Sequence, residues 1–136
     1  CLLAGAKTPT GQRRPLAMRA ETQERVAEAE AILRSARGFL YDSIASAWEA
    51  ARSTGEIPLD FRRDIRLAAV HGARSAAHAV DMMYDLGGGT SVYETSRLQR
   101  CFRDVHTATQ HMMVATPVLE LAGRLFLGVE ADVSTL

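Results

Sequence analysis

From about Glu21 to Ala51 the apolar positions Val26, Ala29, Leu33, Ala36, Leu40, Ile44, Ala47 and Ala51 recur at steps of three and four residues. That is the period of an amphipathic helix, and at 1.5 Å per residue such a helix runs to roughly 45 Å. Glu21 and Glu24 stand in its first turn, where the helix dipole favours anions. Ser53-Thr54-Gly55 ends it, and Pro58 forbids its continuation. A second helix is predicted to begin at Asp60 as N-cap, with Ile65, Ala68, Ala69, Gly72, Ala76, Val80 and Met83 on one face, and to stop at Gly87-Gly88-Gly89. The small residues on that stripe let another helix approach closely. A third follows Ser96 as N-cap, turning Leu98, Cys101, Phe102, Val105, Thr109 and Met112 inward. Before it, Ser91-Val92-Tyr93-Glu94 has the spacing of a capping box, which suggests a short extra turn. Thr116-Pro117 opens a fourth helix with proline at its first position, Val118, Leu121, Ala122 and Leu125 form its apolar face, and Gly128 closes it.

Long helices joined by short loops make an antiparallel four-helix bundle, so the predicted fold class is all-α. Hydrophobic residues make up 47% of the 136, but aromatics only 6%, and an alanine-rich, aromatic-poor chain favours packed helices over sheets. Thr8-Pro9-Thr10-Gly11 and Pro15 are too rich in helix breakers to continue a helix. Residues 1–18 therefore read as the tail of a preceding helix, Cys1-Leu2-Leu3-Ala4, followed by a linker, within a single helical domain. Sixteen basic residues balance sixteen acidic ones, so no charge argument favours nucleic acid or an anionic membrane. No apolar run reaches the roughly 20 residues that span a bilayer. Cys1 and Cys101 are too far apart, and lack the spacing, for a zinc site or a disulfide framework, which suggests a reducing, cytoplasmic setting.

Several residues could carry chemistry, and each has a plainer explanation. His71 and His78 lie seven apart on one helix face, but the chain has no Glu-x-x-His and offers no further ligands, so a metal site is not expected. Gly87-Gly88-Gly89-Thr90-Ser91 has the backbone freedom and hydroxyls to hold an anion such as phosphate; it also suits a simple interhelical turn. Arg97, Arg100, Arg103 and Asp104 make either a solvated charge stripe or, at Arg103-Asp104, a partly buried ion pair behind Cys101-Phe102. His106 and His111, five residues apart, would sit about 140° apart on a continuous helix and could not share a face.

The run Arg97-Leu98-Gln99-Arg100-Cys101-Phe102-Arg103-Asp104-Val105-His106-Thr107-Ala108-Thr109-Gln110-His111 resembles the late helical segment of flavin-dependent monooxygenases built on the acyl-CoA dehydrogenase fold. These are the oxygenase components of two-component aromatic hydroxylases and of sulfur- or amine-oxidising relatives. Ala27-Glu28-Ala29-Glu30-Ala31, Val80-Asp81-Met82-Met83-Tyr84 and Ala122-Gly123-Arg124-Leu125-Phe126-Leu127-Gly128 fit the same family, so the similarity covers most of the chain. The resemblance implies the C-terminal bundle of a larger enzyme, inactive by itself, which uses reduced FMN or FAD from a separate flavin reductase to add one oxygen atom from O2 to a small, aromatic substrate. It further implies a homotetramer in which part of this bundle lies against flavin held by a neighbouring subunit. Gly88, Gly89, Thr90 and Ser91 match the segment that approaches the cofactor. His111 matches the histidine facing the flavin ring and the reacting oxygen, whereas His106 matches a variable position. The substrate pocket is expected to be walled largely by other segments of the enzyme.

Two other readings compete. Many acyl-CoA dehydrogenases of this fold carry a Tyr-Glu-Gly-Thr run whose carboxylate removes the substrate α-proton, but here the corresponding residues are His111-Met112-Met113-Val114, with no carboxylate. A helical oligomerisation module without catalysis is the third reading.

Overall fold

A computed structural model of the chain describes residues 15–136; the expected tail of a preceding helix, including Cys1, lies outside the described residues. The four helices are α1 (Ala20–Thr54), α2 (Leu59–Gly87), α3 (Arg97–Thr109) and α4 (Thr116–Phe126), and every regular element among the described residues is helical. Short 3-10 turns at Leu16–Met18, Gly88–Val92 and Met112–Val114 precede or join them. The first of these corrects the reading of residues 8–18 as wholly non-helical: Pro15 starts a single turn that buries Leu16 against Leu98, with Val26 and Tyr84 beside them.

α1 ends as its sequence requires. Gly55 takes a left-handed conformation (φ +81°) and its N–H returns to the carbonyl of Ala51 at 2.9 Å. Its buried positions are Thr22, Ala29, Ala36, Ser43 and Ala47. Four of the five are seven residues apart, so α1 lies lengthwise along its neighbour rather than crossing it steeply. Leu33 and Ile44, expected inside, are instead 41% and 45% exposed. Ser43 is buried without cost because its hydroxyl donates to the carbonyl of Phe39 at 2.8 Å.

α2 is the central element, with α1 on one side and α3, the Met112–Val114 turn and α4 on the other. It therefore buries two faces. Ala68, Ser75, Ala79 and Met82 form one, and Val70 and Ala77 lie about half a helical turn away on the other. The single stripe expected from the sequence missed the second face, because alanine suits a buried and an exposed position alike. Asp60 does not cap α2. Pro58 holds the N-cap position, and Asp60 sits in the first turn with Arg63.

The remaining expectations fare unevenly. α3 begins after Ser96, but its side chain makes no capping bond. Leu98 is buried as expected, Cys101 is exposed, and Met112, beyond the helix end, is 75% exposed. Ser91 does not form a capping box; its hydroxyl donates to the carbonyl of Tyr84. α4 has proline in its first turn, buries Ala122 and is followed by Gly128 at φ +67°. Its tail folds back, with the Arg124 guanidinium donating to the carbonyl of Glu130 and that of Arg66 to the carbonyl of Thr135 at 2.8 Å. In that tail the Asp132 carboxylate accepts the Ser134 N–H at 2.9 Å, which holds its pKa below the usual range.

Candidate functional site

Glycine fixes the turn between α2 and α3. Gly88 adopts φ +54° and ψ −146°, a region that side chains strongly disfavour, and its N–H is spent on the carbonyl of Asp85. A Cβ on Gly87 would stand 2.1 Å from Ser91 Oγ and 2.8 Å from Leu98 Cδ1, so only glycine lets the chain pass there. Ser91 is fully buried, and Thr90 donates its hydroxyl to the carbonyl of Gly87 at 2.7 Å. Both hydroxyls thus shape the turn from within. Gly88, Gly89 and Thr90 form its exposed rim, and a Cβ at Gly89 would meet open space.

Along the seam between α2 and α3 the rings of Tyr84, Phe102 and His106 follow one another in tilted contact, with centroids 4.5 Å and 4.4 Å apart. Tyr84 donates its hydroxyl to Gln99 Oε1 at 2.9 Å, and His106 Nε2 meets Asp81 Oδ1 at 2.7 Å. The two ends of that last contact are about two-fifths exposed, so it is a partly solvated tie between helices. Asp81 escaped the sequence reading because its partner lies 25 residues away, with no local spacing to connect them. Arg100 and Arg103 approach Asp104 at 3.6 Å and 3.9 Å on the open surface, so of the two readings of this run the solvated charge stripe holds and the partly buried ion pair does not.

α3 stops at Thr109, two residues short of His111, so the expected 140° separation of the two histidines does not describe them. The hydroxyls of Thr107 and Thr109 bond back to the carbonyls of Arg103 and His106 at 2.8 Å and 2.7 Å in this last turn. His111 has extended backbone, and its Nδ1 accepts the N–H of Met113 at 3.2 Å, capping the Met112–Val114 turn. A neutral His111 ring in this arrangement carries its proton on Nε2. Because Nε2 lies on the far side of the ring from the bond that fixes Nδ1, an exposed histidine is left with an oriented donor.

The structure does not bring the candidates to one point. The glycine rim and His111 lie at opposite ends of α3, whose 13 residues span roughly 20 Å. His71 sits beside Phe39 with ring centroids 6.1 Å apart, and His78 is exposed farther along α2. Among the described residues no three His, Cys, Asp or Glu side chains converge.

Beside the His111 turn is a cavity of about 250 Å³, lined by Arg66, Met112, Met113, Val118, Leu121 and Leu136 among others. Nothing in the local sequence marked Arg66, which reaches this cavity only because the turn after α3 folds back on α2.

The model of the family described as "Acyl-CoA dehydrogenase, C-terminal domain" matches residues 2–116. An indole-3-acetate monooxygenase of Pseudomonas putida is 41% identical over 113 residues, covering 83% of this chain and 29% of that protein. A pigment production hydroxylase of Rhodococcus erythropolis is 30% identical over 92 residues, 68% of this chain and 23% of its own length. The chain thus spans under a third of the curated relatives it matches. The crystal structure of the HsaA monooxygenase from M. tuberculosis superposes with a TM-score of 0.73 at 23% identity, covering 89% of this chain and 31% of that one, and shares the fold.

Proposed function

The chain belongs to the acyl-CoA dehydrogenase C-terminal domain family, and from that premise we propose that it is the C-terminal part of a flavin-dependent monooxygenase acting on a small aromatic substrate. The observation that carries this reading is the exposed His111 turn, which offers an oriented N–H donor and no carboxylate. A dehydrogenase needs a base to remove a carbon-bound proton, and Met112, Met113 and Val114 cannot serve. The two monooxygenase and hydroxylase relatives point to the same class.

The cofactor in this reading is reduced FMN or FAD delivered by a separate reductase. The residues present fit a flavin approached from outside: Gly88 and Gly89 offer bare backbone on an exposed rim, and His111 is exposed. When bound, the flavin supplies electrons and activates oxygen. With Nδ1 occupied by the Met113 N–H, His111 would donate a hydrogen bond from Nε2 toward the reacting oxygen. Gly88, Gly89 and Thr90 would contact the cofactor, with Ser91 holding the turn from beneath. With 18O2, reduced flavin and an aromatic substrate, the complete enzyme is expected to form product carrying one labelled oxygen. Unlabelled product, or oxidation of acyl-CoA substrates instead, would turn the assignment to the dehydrogenases.

The same reading includes a homotetramer in a cytoplasmic enzyme. The small-residue stripe of Ala68, Ala69, Gly72 and Ala76 on α2 does not supply such an interface, since Ala68 is wholly buried within the chain and Gly72 faces Leu33, Ala36 and Leu40 of α1. Support comes from α1 itself, where Leu33, Tyr41, Ile44 and Trp48 are all at least two-fifths exposed. Replacing Ile44 and Trp48 together by glutamate is expected to shift the complete enzyme to smaller species in light scattering. An unchanged particle mass would place any interface elsewhere. No helix among the described residues is long and apolar enough to cross a membrane.

A further inference from the structure

We propose that the cavity beside His111 binds the apolar body of a small carboxylic acid whose carboxylate pairs with Arg66. The proposal rests on the oxygenase reading only for the identity of that acid as the substrate; the binding site itself stands on the geometry. Met112, Met113, Pro117, Val118, Leu121 and Leu136 give the cavity an apolar lining, and Arg66 is its one charged side chain. At about 250 Å³ it lies just under the roughly 300–1,000 Å³ of ordinary ligand pockets, which suits one ring system with a short side chain.

Arg66 differs from the arginine one turn before it. Arg63 is fully committed: it bonds Asp64 at 2.9 Å and Asp60 at 2.7 Å and lies over the ring of Phe126, and the bond to Asp64 leads in raising its pKa. Arg66 has no carboxylate within 4.0 Å among the described residues. Its guanidinium is instead oriented by two neutral acceptors, Met113 Sδ at 3.0 Å and the carbonyl of Thr135 at 2.8 Å. Two of its five N–H groups are used, so the remaining donors can meet a carboxylate. Neutral partners fix the direction of the charge without neutralising it.

The cavity shares Met112 and Met113 with the turn that His111 caps. Met113 lines it, bonds Arg66 through sulfur and donates its backbone N–H to His111 Nδ1. A ligand held on Arg66 would thus sit against the same turn that orients the imidazole, and an arylacetic acid combines the ring, the short arm and the charge the cavity asks for.

The test measures binding of phenylacetate and of phenylacetamide, which differ in charge but little in shape, to the complete enzyme without flavin by equilibrium dialysis. The acid is expected to bind more tightly than the amide. Arg66→Met should weaken the acid about tenfold to a hundredfold, the worth of one charge-assisted bond, while leaving the amide nearly unchanged. Arg66→Lys should restore part of the preference, and Leu121→Trp, which fills the cavity, should weaken both ligands together. Equal binding of acid and amide, or an acid preference that survives Arg66→Met, overturns the proposal. If the acid binds through Arg66 but the enzyme oxygenates nothing, the site stands and the oxygenase reading falls; if oxygenation of arylacetates proceeds with the same KM in Arg66→Met, the reverse holds.

Discussion

Gly87→Ala should destabilise the domain by about 1–3 kcal/mol, the usual cost of forcing an extra group into a closed space. The backbone is not the obstacle, since Gly87 has φ −69° and ψ −19°, which alanine accepts readily. The obstacle is the 2.1 Å approach to Ser91 Oγ, because that side chain is fully buried and fastened to the carbonyl of Tyr84 at 2.8 Å. Leu98 Cδ1, at 2.8 Å, is the end of a flexible side chain and can move aside. The neighbouring glycines separate the causes. Gly88→Ala meets no atom but must hold φ +54°, at about 1–3 kcal/mol of backbone strain, whereas Gly89→Ala meets neither obstacle and should stay within about 0.5 kcal/mol. Urea midpoints of the three variants provide the measurement. Combining Gly87→Ala with Ser91→Ala should recover part of the loss, as expected for two groups competing for one space. Equal midpoints for Gly87→Ala and Gly89→Ala would show that the turn repacks freely.

In the complete enzyme His111→Ala is expected to uncouple oxygen use from product formation. General acid–base groups contribute about 10²–10⁴-fold to the step they assist. If oxygen transfer slows by even part of that factor, hydrogen peroxide release overtakes it and little product forms per flavin oxidised. The structure also gives His111 a second task, as the cap of the Met112–Val114 turn, and alanine removes both. His111→Asn separates them. Its Oδ1 sits where Nδ1 does and can still accept the N–H of Met113, but nothing replaces the N–H at Nε2. Asparagine should therefore keep the melting temperature of the native enzyme and still lose product. His106→Ala should do much less to the yield, because that ring is tied to Asp81 across the helix seam. Product and peroxide assayed in parallel give the answer, and an undiminished yield in His111→Asn would confine the residue to capping.

The helices were legible in the sequence because their signals are local. The Gly55 stop, the Thr116-Pro117 start and the three- and four-residue periodicity all act within one or two turns. The glycine turn was legible as well, although not the reason for it: only the folded chain shows Ser91 turned inward against Tyr84. What failed depends on contacts between distant residues. Leu33 and Ile44 fit the apolar period of α1, yet α2 covers the adjacent alanine line instead. His111 was picked out through family resemblance and placed on a helix that in fact ends at Thr109. Arg66 could not have been found, because the distance in sequence from Arg66 to Met113 is 47 residues.

The central place of α2 bears on how much sequence change this domain can absorb. α1 and α3 each keep a side that no other described element of the chain covers. α2 is packed from two directions, and beside Val70 and Met82 four of its six buried residues are small: Ala68, Ser75, Ala77 and Ala79. At such positions there is no smaller residue to retreat to except glycine, which weakens a helix interior by about 1 kcal/mol, and any larger one pushes two layers apart. Compensation would have to come from both neighbours at once. α2 is thus the part of the chain least free to drift, and variation among descendants of this sequence should collect at the polar, solvent-facing positions of the helices on either side of it.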